Sequence, residues 1–157
     1  MDATTETTAV ERELAIAASP ETVWAFLVEP DKAIRWMGQT ASLDPQPGGE
    51  YRVGVIPTHT ASGEFVEVDA PRRLVFTWGW EPGPDGPNPV APGSSTIEIE
   101  LTPDGEGTTL RFRHYDLPTT ESAASHAHGW DHYLPRLATA AAGDDPGEDP
   151  WLHGDMS

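Results

Sequence analysis

The sequence predicts an α+β fold in which an antiparallel sheet carries its helices on one side. Apolar residues recur at every second position from residue 40 to residue 115, with turn signals between the runs, which predicts six consecutive strands. One strand and two short helical segments precede this region, and one long helical segment follows it. Because strands that follow one another along a chain usually pair, the six strands are expected to form antiparallel hairpins.

The first forty residues supply the leading strand and the two short helices. Residues 11–18 alternate in hydrophobicity and predict the first strand. Ser19 is a favourable helix N-cap, Pro20 suits the first helical turn, and Pro30 ends the helix that they begin. Residues 31–38 predict a second short helix that stops at a glycine.

The last predicted hairpin fixes its own register. If Thr102 lies opposite Thr109, one face of the hairpin carries charged pairs and the other face is apolar. A shift by one residue would place arginines against the core. The predicted register therefore pairs Glu100 with Arg111, Glu98 with Arg113, Leu101 with Leu110, Ile99 with Phe112, and Ile97 with His114.

The final long element is an alanine-rich helix from about Thr119 to Ala142 that stops at Gly143. Pro135 lies inside it, where it removes one backbone hydrogen bond. The chain is therefore divided into a flexible N-terminal tail, one domain, and an acidic C-terminal tail anchored by Trp151: residues 1–10, 11–142 and 143–157.

Composition excludes several classes of partner. The chain has 9 Lys and Arg against 26 Asp and Glu, for a formal net charge of −17, which argues against nucleic acid and anionic membrane surfaces. Cysteine is absent, so no disulfide, thiol nucleophile or thiolate metal site is expected. Neither a signal peptide nor a membrane-spanning segment is apparent, and the expected location is the cytoplasm.

Several segments occur in the order and spacing of the START-like (SRPBCC) superfamily. The chain resembles in particular the bacterial branch similar to the activator of the 90-kDa heat-shock protein ATPase, over residues 11–142. The resemblance implies a helix-grip fold, in which a curved seven-stranded antiparallel sheet wraps around the long C-terminal helix and leaves a cavity between them. Because members include binders, cyclases and chaperone regulators, catalytic residues do not carry over. The matching segments are "SPETVWAFLVEPDKAIRWM", "PGGEYRV", "GEFVEVDAPRRLVFTW", "TIEIELTPDGEGTTLRFRH" and "HGWDHYLPRL".

Side chains from both layers are predicted to face this cavity. At about 100° per residue, His126 and Tyr133 share the helix face of Trp130. Strand alternation places Phe76, Trp78 and Trp80 on one face of their strand, and Phe112 with His114 on one face of theirs. The predicted ligand-binding residues are Trp36, Phe76, Trp78, Phe112, His114, His126, Trp130 and Tyr133.

The aromatic residues of this set are predicted to give apolar contact, and the two histidines polar contact, to a ligand. The alternative for His114 and His126 is that both are core residues bonded to the protein itself. His128 and His132 are spaced i, i+4, which suits zinc, but the pair supplies only two ligands. We therefore expect a solvated helix face there, with no metal and no cofactor.

Two features have alternatives that the sequence leaves open. Glu67 enters the cavity or stays in solvent, depending on how the turn at Pro71 is placed. The segment Glu81–Ser95 contains five prolines and is longer than ordinary connections, so it is either a surface loop or a lid over the cavity.

The predicted function is the binding of a small, largely hydrophobic or aromatic molecule in the cavity. The first alternative is an enzyme of the cyclase, dehydratase or hydrolase type that uses His114, His126 or Glu67 as general acid or base. The second, which rests on the resemblance alone, is a chaperone-ATPase regulator that acts by protein–protein contact. The class is also compatible with a homodimer.

Overall fold

The computed structural model describes residues 8–84 and 86–153, and within them it confirms the predicted α+β architecture. The strands are β1 Val10–Ile16, β2 Thr40–Leu43, β3 Glu50–Ile56, β4 His59–Asp69, β5 Arg73–Trp78, β6 Ser95–Asp104 and β7 Gly107–Tyr115. The helices are α1 Pro20–Val28, α2 Pro30–Ala33 and α3 Thr120–Ala141, and a 3₁₀ turn spans Pro150–His153. All seven strands form one antiparallel sheet in the order β1-β7-β6-β5-β4-β3-β2.

The two short helices turn the chain from β1 to the opposite edge of the sheet. The Ser19 side chain accepts a hydrogen bond from the Thr22 backbone N–H, which confirms the predicted N-cap of α1. Helix α2 is shorter than predicted and ends at Ala33. Gly38 follows with a φ of 85°, and a Cβ there would meet the backbone of Gly54, so only glycine fits this entry into β2.

The β6–β7 hairpin has the predicted register, with Thr102 opposite Thr109. Its charged face is also present, but the ion pairs run to other strands than expected. Arg111 contacts Glu13 of β1 at 2.9 Å, and Arg113 contacts Glu11 of the same strand at 3.3 Å. The two glutamates of β6 contact an arginine of β5 instead, because on a sheet each residue has neighbours on both sides. The β5 residue is Arg73, and its partners in β6 are Glu98 and Glu100.

Helix α3 packs its predicted face against the sheet. The Thr119 side chain accepts a hydrogen bond from Ser122 N at 3.0 Å and caps the helix, and Gly143, with a φ of 94°, follows its end. The helix continues through Pro135. The side chains predicted to share the Trp130 face are all buried: His126, Tyr133, Leu134, Leu137 and Ala141.

The described residues of both predicted tails contact the domain. Strand β1 begins at Val10, which is buried and pairs with His114, while residues 1–7 of the predicted tail lie outside the described residues. At the other end the chain returns to α3, where Asp149 is buried. No helix within residues 8–84 and 86–153 is long and apolar enough to cross a membrane.

Candidate ligand-binding cavity

A cavity of about 460 Å³ lies between the end of β5, the segment Glu81–Ser95 and the first half of α3. Four of the predicted wall residues line it: Trp78, His126, Trp130 and Tyr133. Two other concave surfaces have similar volumes, about 400 and 470 Å³, but arginines and glutamates of the sheet border them. Lining rather than size therefore distinguishes the first cavity as a site for an apolar molecule.

The other four predicted wall residues are buried but do not line this cavity. The ring of Phe76 stacks on Tyr51 with centroids 4.2 Å apart, and Phe112 packs against Trp130 at 4.7 Å. Trp36 is also buried, and its Nε1 donates to a backbone carbonyl of α1 at 2.8 Å. Of these three side chains, Phe112 directly contacts a ring of the cavity wall.

His114, the fourth of these residues, is fully buried, and both of its ring nitrogens are bonded to the protein. Trp130 Nε1 donates to Nδ1 at 3.1 Å, and Nε2 lies 2.8 Å from Ser95 Oγ. Because Ser95 donates its own proton to Trp78 O, the proton between His114 and Ser95 belongs to His114 Nε2. Burial lowers the pKa of His114 to about 2, and the neighbouring His126 acts in the same direction, so the ring is neutral.

His126 has the opposite tautomer. Its Nε2 accepts a hydrogen bond from Trp80 Nε1 at 3.0 Å, and its Nδ1 therefore donates to Ser122 O at 2.8 Å. Burial lowers the pKa of His126, although the bond to Ser122 opposes this change. Its ring centroid lies 5.0 Å from that of His114, so two neutral imidazoles meet edge to face.

The arrangement corrects the predicted role of the two histidines. All four ring nitrogens are already bonded, so neither residue offers a free polar contact to a ligand. The alternative stated for them, a core histidine bonded internally, describes both. Their effect on the cavity is to fix the indoles of Trp80 and Trp130, which form part of its wall.

Sequence analysis left several lining residues out of the predicted set. Strand alternation placed Trp80 on the same face as Trp78, so the sequence pattern was sufficient to include it among the lining residues. Of the others, Val55 and His59 lie at the adjoining ends of β3 and β4, and the rest come from loops and from α3. Periodicity does not indicate how close such a residue lies to a cavity. Besides Trp80, the additional lining residues are Met37, Val55, His59, Asn88, Pro89, Val90, Thr119, Glu121, Ser122, Ser125 and Gly129.

Within the proline-rich segment Glu81–Ser95, residues 88–90 border the cavity, whereas most of its other described residues are exposed. Trp80 N donates to Val90 O at 2.7 Å, and the Val90 side chain is 1% exposed. At the start of the segment, Glu81 forms an ion pair with Arg52 at 2.8 Å. Of the two alternatives, the described residues favour the one in which this segment covers part of the cavity.

Glu67 lies outside the cavity. A register shift between Phe65 and Glu67 leaves both Val66 and Glu67 exposed, and the Glu67 carboxylate contacts Arg73 Nε at 3.2 Å. The second alternative for Glu67 therefore holds, and the residue is not placed to act as an acid or base in the cavity.

The face of His128 and His132, predicted to be solvated, is partly covered at His132, whereas His128 is exposed. Trp151 stacks on His132 with centroids 3.8 Å apart and lies 5.4 Å from His128. His132 Nε2 donates to Asp149 Oδ1 at 2.8 Å, and Tyr133 Oη donates to Asp149 Oδ2 at 2.8 Å. The prediction failed for His132 because the returning C-terminal segment supplies both the aromatic ring and the carboxylate that contact it. Across residues 8–84 and 86–153, no group of three His, Cys, Asp or Glu residues could hold a metal ion.

Asp149 is the polar centre of this contact. Burial acts to raise the pKa of Asp149, but hydrogen bonds from Trp151 N, Tyr133 and His132 outweigh it and hold the pKa below its ordinary value. The pKa of Tyr133 is raised, first by burial and then by its bond to Asp149. Since Tyr133 also lines the cavity, the C-terminal segment is joined to the cavity wall.

Comparison with known proteins agrees with this architecture. An AHSA1-like protein from Rhizobium etli, solved by solution NMR, is 47% identical over 91% of this chain and 87% of that chain, with a TM-score of 0.71. CalU16 from Micromonospora echinospora is 23% identical over 85% of this chain and 76% of that chain, with a TM-score of 0.66. An HSP90 activator from Plasmodium falciparum is 18% identical over 83% of this chain and 94% of that chain, with a TM-score of 0.67. The last two similarities show the fold alone.

A search of curated proteins found no significant match. The family model described as "Activator of Hsp90 ATPase homolog 1-like protein" matches residues 17–142. This match spans most of the chain and includes every element from α1 to α3. The chain therefore belongs to the activator of Hsp90 ATPase homolog 1-like family, within the START-like superfamily.

Proposed function

We propose that this protein binds a small, largely apolar, ring-bearing molecule in the cavity between the sheet and α3. The observation that carries the proposal is the combination of a volume of about 460 Å³ with a wall of three indoles. Ligand sites usually enclose a few hundred cubic ångströms and are lined by apolar and aromatic side chains. The indoles are those of Trp78, Trp80 and Trp130.

The positions of these rings support a flat ligand. Trp78 lies 5.2 Å from Trp130 and 5.3 Å from Trp80, measured between ring centroids, and the ring planes are inclined by 55° and 79°. The three indoles therefore offer both ring faces and ring edges to a ligand. Aromatic faces and edges contact other rings favourably in offset or T-shaped arrangements. A ligand that contains one to three fused rings matches both the volume and the surface.

The same contacts argue against His126, Tyr133 and Glu67 as a general base. A general base needs a free lone pair within reach of the substrate, and the lone pair of His126 Nε2 accepts the N–H of Trp80. Tyr133 is bonded to Asp149, and Glu67 lies on the outer surface. The enzymatic and chaperone-regulating alternatives, the cytoplasmic location and a homodimeric state remain predictions from the sequence and the family.

A matched pair of variants on α3 tests the proposal. Gly129 lines the cavity, and apart from its chain neighbours and the backbone of its own helix, no heavy atom lies within 4 Å of where its Cβ would be. Gly129→Phe would therefore place a ring in the cavity. Ala124 is exposed on the same helix and does not line the cavity, which makes Ala124→Phe the control. The probe is N-phenyl-1-naphthylamine, a neutral aromatic amine whose fluorescence rises in apolar surroundings.

We expect wild-type protein and Ala124→Phe to bind the probe with the same affinity, and Gly129→Phe to bind it about tenfold more weakly or not at all, because the added ring occupies its place. Equal binding by all three proteins would locate the probe elsewhere and refute the proposal. Absence of binding by the wild type would refute it for this class of molecule.

A further inference from the structure

The polarity of the cavity wall changes with depth. Its three indoles and the ring of Tyr133 are buried, so they form the floor. Thr119, Glu121 and Ser125 line the same cavity but are exposed, so they mark its mouth at the start of α3. A molecule with rings at one end and a polar group at the other matches this gradient.

The polar groups of the floor are already used within the protein. Trp80 and Trp130 each donate to a histidine, and Tyr133 donates to Asp149. Trp78 Nε1 has no acceptor among the described residues, but the atom is itself buried. Because a polar group without a hydrogen-bond partner is costly to bury, the polar end of a ligand is expected at the mouth and not on the floor.

The mouth is acidic. Glu121 is the only carboxylate among the described residues that line the cavity, and those residues include no lysine or arginine. Neither Glu121 nor Ser125 has a hydrogen-bond or ion-pair partner within residues 8–84 and 86–153, so their side-chain oxygens are free to accept hydrogen bonds. The group that complements this mouth is therefore a cation that donates hydrogen bonds.

We propose that the cavity selects ring compounds that carry a protonated amino group, with the rings against the indoles and the ammonium beside Glu121 at the mouth. This inference rests on the proposed function, because it specifies the ligand of the same cavity. The indoles bind rings whatever their charge, whereas Glu121 attracts a cation and repels a carboxylate. The net charge of −17 acts in the same direction at longer range.

Three probes with one ring system test the selectivity. 2-Naphthylmethylamine, 2-naphthylmethanol and 2-naphthoate share the naphthalene ring and carry a positive, no and a negative charge. Their affinities are measured by displacement of N-phenyl-1-naphthylamine at about pH 8, where imidazoles are neutral, so that His59 in the wall adds no charge. We expect the amine to bind most tightly and the naphthoate most weakly. In about 1 M sodium chloride, which screens charges beyond about 3 Å, this difference should shrink.

A matched pair of variants identifies the carboxylate. Glu121→Gln keeps the shape of the side chain and removes its charge, so the affinity for the amine should fall about two- to fivefold, and the affinity for the naphthoate should rise. The alcohol should bind as before. Glu106→Gln is the control, because Glu106 is exposed in the β6–β7 turn, does not line the cavity, and gives the same change in net charge. All three affinities should stay close to those of the wild type.

The outcomes separate this inference from the proposed function. If the two variants weaken amine binding equally, or if neither weakens it, Glu121 does not select the ligand and the inference is overturned, while the proposed function stands. An amine that binds no more tightly than the naphthoate has the same meaning. If none of the three probes displaces N-phenyl-1-naphthylamine from the wild type, the proposed function is overturned as well.

Discussion

The buried, neutral state of His114 predicts a loss of stability in mild acid. Above a pH of about 6.5 the imidazole is neutral in both the folded and the unfolded chain, so it adds no pH dependence. Below that pH the unfolded chain binds a proton, whereas the folded protein does not until the pH approaches the folded pKa of about 2. The free energy of unfolding therefore falls as the pH falls through this window.

The size of the effect follows from the same pKa. Each pH unit in the window costs about 1.4 kcal/mol, so lowering the pH from about 7.5 to about 4.5 should remove about 3 kcal/mol of stability through His114 alone. His126 contributes in the same direction, since its pKa is also lowered by burial. Ordinary Asp and Glu side chains, with pKa values of about 3.9 and 4.3, titrate only toward the acid end of this range.

Urea unfolding at several pH values measures this dependence. His114→Gln removes the titrating ring and should flatten the curve of unfolding free energy against pH by the amount given above. Ser95→Ala is the matched control, because it breaks the hydrogen bond to His114 but leaves the imidazole buried. It should lower stability at neutral pH and keep the slope. Identical slopes for the wild type and His114→Gln would refute the assignment of a neutral, buried His114.

Three further substitutions test other parts of the structure. Asp149→Asn should lower the free energy of unfolding by about 1–3 kcal/mol and speed hydrogen exchange in residues 144–153. The reason is that a neutral amide cannot accept all the hydrogen bonds that the carboxylate accepts. Unchanged exchange would argue against the contact. Gly79→Ala should lower the melting temperature by several degrees and weaken probe binding, because the Cβ of the new alanine would overlap the carbonyl oxygen of Ala91. A melting curve identical to that of the wild type would contradict this. Thr119→Ala should lower the free energy of unfolding by about 1 kcal/mol in thermal unfolding, because it removes the N-cap of α3. Thr120→Ala, one residue into the helix, should have little effect. Equal losses of stability in the two variants would show that the cap is not the cause.

The sequence predicted the fold well because its periodic signals are strong. In the β6–β7 hairpin a single register satisfies both faces, and the structure has that register. The buried face of α3 followed from helical geometry in the same way. Alternation and helical projection report which way a side chain points, and in this chain that was enough to order the sheet and to orient the helix.

The cavity was predicted less completely, because the direction in which a side chain points does not determine how close it lies to the cavity. Phe76 and Trp78 point to the same side of β5, yet only Trp78 lines the cavity. The bond that occupies His126 comes from Trp80, 46 residues away, and no local pattern encodes it. Trp151 was expected to anchor the C-terminal segment, but the face on which it settles depends on the path of a loop.

The two indole–imidazole bonds have a consequence for how a molecule would enter. One bond connects Trp80 to His126, and the other connects Trp130 to His114. Each of them joins the sheet side of the cavity to α3, so together they hold the two layers at a fixed separation. Walls held apart in this way keep their shape without an occupant. A ligand would therefore lose little affinity to ordering the protein, and most of the contact that it makes would appear as binding.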